Sequence, residues 1–372
     1  MLKYIFLLLL ITKTLCQSEV YMTKVINSSN IVRLFKKLNM PLGEKIGLKV
    51  HSGETGGKYF LTPDFLEDIY NYTKGTYIEC NAAYEGGRHT TELHNNLLKE
   101  HGWKKNNRRF VIMDADPSKD FSLYIDNPAM ISENIVGEKI NEFDSCIVLS
   151  HLKGHSMGGF GGALKQLSIG FASQRGKTWI HTAGETTQWD IMDDYEANQE
   201  NFTAAMGDAA ASVVKYFREK KGIVFINVVA NISKECDCAG GLAPEPQIND
   251  IGILASTDPV ALDRACVDLV KKTNENGTEA WVNQLNNLKG ENTIAVAESH
   301  GIGTQKYKLI LIDEEEEESN EDKKNKATLI VVVLSTIIGV SFFVILFVYF
   351  IMKNKSNVRH QEDFHLTQKM NE

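Results

Sequence analysis

The chain has 372 residues, 43% of them hydrophobic and 24% charged, with a formal net charge of -8. That length and balance suit one large or two medium globular domains with a sizeable core, and exclude a disordered or fibrous chain. No basic stripe with interleaved aromatic residues occurs, so nucleic acid is not expected as a partner.

In chain order, residues 1–16 read as a cleaved secretory signal. Lys3 precedes an apolar run from Tyr4 to Ile11 that is too short to span a bilayer, and modest residues follow up to Cys16. From about 40 to 313 strands and helices alternate. KIGLKVH (45–51) reads as a strand, PDFLEDIYNYT (63–73) as a helix opening on proline, TYIEC (76–80) as a strand, TELHNNLLKEHG (91–102) as a helix closing on glycine, and RRFVIMD (108–114) as a strand. DSCIVLS (144–150) is a short apolar run of the buried parallel kind. A helix over 198–219, strands over 222–229 and 250–256, a helix over 258–272 and a strand over 307–313 complete the pattern.

Such alternation predicts an α/β fold: a mainly parallel sheet with helices on both faces, two lobes around a cleft, and one C-terminal transmembrane helix. The domain is expected to span 17–313. An acidic then basic stalk (314–326) follows, then the charge-free stretch 327–352, long enough to cross a bilayer, and a cytosolic tail at 353–372. Signal and span together predict a single-pass type I membrane protein that meets membrane lipid through one span, its domain lumenal or extracellular. Sequons at Asn27, Asn71, Asn201, Asn231 and Asn276 suit glycosylation of such a domain.

Six cysteines occur. Cys16 would leave with the signal, and the rest are too sparse for a disulfide scaffold. Cys146 and Cys266 fall on apolar faces and are expected in the core, and Asp258 before Pro259 reads as a helix N-cap. Cys236 and Cys238, one residue apart, leave three readings open: ligands of a soft metal, a redox pair, or a disulfide.

Polar and glycine-rich residues collect just after four of the strands, at HSGETGG, NAAYEGGRHTTELH, HLKGHSMGGFGGALKQL and ANISKECDCAGG. Because open α/β sheets bind ligands beyond the carboxyl ends of their strands, four loops on one edge are expected to share a cleft holding a small-molecule ligand. The third loop is no nucleotide loop. Leu164 stands where a phosphate loop needs glycine before its lysine, and also where G-x-G-x-x-G needs its third glycine. Gly154 between His151 and His155 argues against a metal-binding helix. An anion site formed by backbone N–H groups before a helix at 162–170 remains open.

The succession KVHSGETG, GGRHTTELH, VLSHLKGHSMGGFGGALKQLSIG, RGKTWIHTAG, NISKECDC and DIGILASTDPVALDRACVDLV resembles the domain of unknown function 362 family across about 45–312. Many members carry a cysteine-rich ferredoxin-like insert. No cysteine lies between Cys146 and Cys236, so this chain resembles the insert-free branch and no iron–sulfur cluster is expected. More distantly it is similar to lactate racemase, a nickel-pincer enzyme, in the spacing of His155, Lys165 and His181. That resemblance implies His155, with His89 or His94, as acid/base residues, Lys165 as the cofactor anchor in the loop of Gly159, Gly161 and Gly162, and His181 as a metal ligand. Cys236 and Cys238 join His181 as candidate ligands of a divalent transition metal.

The expected function is thus a metal- or cofactor-dependent isomerase or oxidoreductase acting on a hydroxyl-bearing small molecule. The alternative is a membrane-anchored binding or receptor module with a non-catalytic version of the site.

Overall fold

Strands β1 (Ser18–Thr23), β2 (Ile46–Lys49), β3 (Thr76–Glu79), β4 (Phe110–Ile112), β5 (Phe121–Tyr124), β6 (Glu133–Val136), β7 (Ser145–His151), β8 (Lys153–His155), β9 (Gly159–Gly161), β10 (Ile223–Val229), β11 (Gly252–Ser256) and β12 (Tyr307–Leu311) form one large sheet and two hairpins. The computed structural model describes residues 17–315 apart from Glu196. The sheet has eight strands in the order β12-β1-β11-β10-β7-β2-β3-β4. Only β11 runs antiparallel to its neighbours.

The central strands are buried along their whole length, which is why SCIVLSH and IVFINVV read as nearly unbroken apolar runs. Their side chains feed two cores. Cys146, Val148, Phe225 and Val229 face the helices Gln199–Arg218 and Pro259–Lys272, whereas Ile147, Leu149, Val224 and Ile226 face the helix Ser28–Leu38 and residues around Leu66 and Trp103. Helices therefore cover both faces, as expected of a largely parallel sheet. Cys146 and Cys266 are fully buried. Asp258 caps its helix by accepting from the Ala261 N–H at 2.9 Å, with Pro259 at the first helical position. Residues up to Asp313 make one compact unit, so the expected two lobes are absent among the described residues.

The strands β2, β3 and β4 step outward in one direction and β7 and β10 in the other. The order thus reverses between β2 and β7, and a crevice opens there beyond the carboxyl ends of the strands.

The transmembrane expectation is corrected. No helix among the described residues is long and apolar enough to cross a membrane. The longest of them, Gln199–Arg218, carries Glu200, Asp208, Lys215 and Arg218, and buries its apolar residues against other parts of the domain. Residues 1–16, 327–352 and 353–372 lie outside the described residues, as does the stalk beyond Glu315. The type I placement, the lumenal or cell-surface location and the lipid partner have no support in the fold. Of the sequon asparagines, Asn27, Asn71, Asn231 and Asn276 are exposed and Asn201 is half-buried.

Candidate functional site

The loop after β7 folds back as the hairpin β8–β9, pairing Lys153 with Gly161 and His155 with Gly159. A hairpin, not a helix, thus carries the histidine. Gly159 has φ +77, a conformation side chains with a Cβ rarely adopt, and its backbone packs against Gly290. Gly162 has no room for a Cβ, which would lie 2.6 Å from a carboxylate oxygen of Asp263. Gly161 meets only the Lys165 side chain, at 3.5 Å.

The short helix Ala163–Leu167 begins here. Its leading N–H groups are not open to a ligand anion, because Asp263 accepts from Ala163 at 2.9 Å and from Leu164 at 2.8 Å. The same carboxylate takes a hydrogen bond from Asn227 at 2.7 Å. Burial raises the Asp263 carboxyl to about 6, the hydrogen bonds opposing the rise.

Beyond the strand ends lies a cavity of about 330 Å³. All four polar loops reach it, supplying His51, Arg88, His155 and Cys238 among others, and Lys177 and His181 join from the helix Gln174–His181. Most of the cationic groups here have partners. Arg88 pairs with Glu79 at 2.8 Å and Glu54 at 3.3 Å. Lys153 forms an ion pair with Asp237 and a 3.0 Å bond to His151 Nδ1, while His151 Nε2 lies 2.6 Å from the Ala230 carbonyl. Lys177 donates to the Ala172 carbonyl at 2.5 Å.

Lys165 differs. No carboxylate among the described residues lies within ion-pair distance of it, and its contact is Cys236 Sγ at 3.7 Å. Burial pushes its ammonium down to about 7, with Arg88, Lys49 and Lys177 adding like-charge repulsion.

The histidines are held neutral. Burial, then the charge of Lys165, takes His155 well below the usual imidazole range. Burial, Lys165 and Lys177 take His181 to about 3. His51 is lowered by burial and by Arg88. His155 Nδ1 accepts from the backbone N–H groups of Met157 at 3.1 Å and Gly158 at 2.9 Å. A neutral ring whose Nδ1 accepts must carry its proton on Nε2, so His155 presents an N–H donor to the cavity. His181 stacks on Phe202, ring centroids 4.7 Å apart, and its Nδ1 is buried without a partner.

Cys236 and Cys238 are joined as a disulfide. Their sulfurs and a ring nitrogen of His155 lie within 4.8 Å of one another. As a divalent-cation site this trio is poorly suited, because bonded sulfurs are not thiolates and His155 Nε2 bears a proton. Lys165 and His181 line the same cavity.

His155, Lys165, His181, Cys236 and Cys238 thus come together, whereas His89 and His94 stay outside the cavity wall. His94 is fully buried behind it, Nδ1 facing Asn81 at 3.1 Å and Nε2 facing Glu79 at 3.2 Å. His89 packs edge-on to Trp189 and meets the Tyr84 carbonyl at 3.1 Å. Sequence reasoning missed His51, Arg88, Lys153 and Lys177, although all stand in motifs beyond the strands or beside the histidine of RGKTWIH.

Together these features define an α/β domain with a small, cation-rich cavity at the switch point of its sheet. Its family matches the one suggested by the motifs. The chain belongs to the Domain of unknown function (DUF362) family, whose model covers residues 46–268. No curated protein matches the sequence.

Among solved structures, it is distantly similar to the lactate racemase apoprotein from Thermoanaerobacterium thermosaccharolyticum, at 13% identity and TM-score 0.39, covering 69% of this chain and 57% of that one. A protein from Thermotoga maritima is similar at 16% identity and TM-score 0.34, covering 73% of this chain and 58% of that one. The match thus spans little more than half of either structure.

Proposed function

We propose that the pocket is the active site of an enzyme that isomerises a small hydroxy acid at its hydroxyl-bearing carbon. The observation carrying this reading is the Lys165 ammonium, which faces the cavity with no carboxylate to pair it. A substrate carboxylate suits such a pocket, since Lys177, whose hydrogen-bond partner is the neutral Ala172 carbonyl, lines it.

The neutral form of Lys165 exchanges the proton at the reacting carbon, a task favoured by a base whose pKa lies near the operating pH. The Nε2–H of His155 donates a hydrogen bond to a substrate oxygen as charge develops there.

The test is exchange of the carbon-bound hydrogen of small 2-hydroxy acids in heavy water, followed by NMR with protein purified from its native source. Exchange should fall about 100-fold or more in Lys165→Met, the typical worth of a positioned proton-transfer group. Absence of exchange across lactate, glycerate, malate and their homologues would sink the reading.

A further inference from the structure

We infer that the Cys236–Cys238 disulfide is a thiol–disulfide exchange site for a small anionic thiol. The two sulfurs line the cavity in unequal settings. Cys236 is buried, 4% exposed, whereas Cys238 is half-buried and the more accessible. Cys236 Sγ accepts the backbone N–H of Cys238 at 3.2 Å and lies 3.7 Å from the Lys165 ammonium. Cys238 Sγ lies 3.8 Å from His155 Nε2. Each sulfur therefore already faces a donor that stabilises negative charge, and the stronger pair of donors sits on the less accessible sulfur.

That asymmetry sets the direction of attack. The incoming thiolate approaches Cys238 Sγ, a new S–S bond forms there, and the Cys236–Cys238 bond breaks. The bonding electron pair goes to Cys236 Sγ, which leaves as a thiolate held by Lys165 and the Cys238 N–H. A second thiolate of the same kind then attacks the mixed disulfide at the sulfur of the bound thiol. The released low-molecular-weight disulfide departs, and Cys238 Sγ takes the electron pair beside the His155 Nε2–H. Two thiols are oxidised to one disulfide, the protein disulfide is reduced to a dithiol, and the two protons end on the cysteines. A carboxylate on the thiol suits the cations of the cavity. This chemistry uses no hydroxy acid, so it stands or falls apart from the isomerase reading.

The test uses the full chain with mercaptoacetate as the anionic probe and mercaptoethanol as the uncharged one. Samples are acid-quenched and alkylated, and the peptide bearing both cysteines is weighed by mass spectrometry while circular dichroism follows the fold. The pair should open with the fold intact, and in wild-type samples quenched part-way the mercaptoacetate mixed disulfide should sit on Cys238 with Cys236 alkylated. Lys165→Met should slow opening by both probes several-fold, because a leaving thiol whose thiolate loses its cation leaves more slowly. It should also lower the mercaptoacetate-to-mercaptoethanol rate ratio, and Lys165→Arg should restore both. The inference is overturned if the pair resists both thiols, if it opens only as the dichroism signal is lost, or if Lys165→Met opens at the wild-type rate.

Discussion

Asp263 reaches the backbone N–H of Leu164 at 2.8 Å across 99 residues of sequence, and so holds in place the short helix that carries Lys165. A side chain of one helix thereby does for another what a local N-cap does elsewhere. Replacing it with alanine leaves two buried N–H groups unsatisfied and leaves the Asn227 amide with only the weaker Cys266 Sγ acceptor at 3.6 Å. Asp263→Ala should cost about 2–3 kcal/mol in urea unfolding, because each buried group left without a partner carries its own desolvation penalty. Because burial lifts this carboxyl from 3.8 to about 6, the folded state binds the extra proton in that window. Its contribution to stability therefore declines as pH rises from 3.8 to 6, and that slope should vanish in Asp263→Asn.

Neighbouring glycines should respond differently to the same added methyl group. Gly162→Ala drives a Cβ to 2.6 Å from the Asp263 carboxylate, whereas Gly161→Ala meets the Lys165 chain at an ordinary 3.5 Å. The first should destabilise by about 1–3 kcal/mol, the usual range for overpacking, and the second by less than about 0.5 kcal/mol. Thermal unfolding of the two variants side by side checks this. Equal midpoints would contradict the packing argument.

Lys153 and Asp237 form a buried ion pair, each about 6% exposed at its side chain, with His151 completing the group. Asp237→Asn strips the carboxylate from a buried ammonium and should cost about 3–5 kcal/mol. The double change Lys153→Met with Asp237→Asn should recover much of that loss, since no charge then stays buried alone. A urea series on the single and double variants measures the difference. If the double variant is no more stable than the single one, the cost lies elsewhere.

Acid should unfold this domain through its buried imidazoles. His181 is neutral in the folded state down to about 3 but titrates near 6.5 once unfolded, and His51, His151 and His155 shift in the same direction. Between those values the unfolded chain binds more protons, so their stabilisation is fully present above 6.5 and is lost as pH falls. Each such group contributes about 1.4 kcal/mol per pH unit in that window. His181→Gln should flatten the slope of unfolding free energy against pH by about that amount between 6 and 4, as read from urea titrations.

Much of the sheet was legible because its signal is local. The strands at 45–51, 76–80, 144–150 and 222–229 were expected from short apolar runs, and the structure places them at Ile46–Lys49, Thr76–Glu79, Ser145–His151 and Ile223–Val229. The first strand, Ser18–Thr23, and the helix after it were missed, since SEVYMT is short and carries no turn signal of its own. The loops at the carboxyl ends of the parallel strands were legible for the same reason, and all four reach the cavity.

The sequence by itself determined the α/β class, the family, and the set of loops that gather at one edge. It also marked Asp258 as a cap and Cys146 and Cys266 as core, because capping and helical periodicity act over a few residues. Tertiary structure alone decided which cations are neutralised and which is left over. Arg88 and Lys153 look no different from Lys165 in the chain, yet Arg88 meets Glu54 from the loop after β2 and Lys153 meets Asp237 from the loop after β10. Pairing of buried charge depends on distances of about 3 Å between segments far apart in sequence, and no local pattern encodes them.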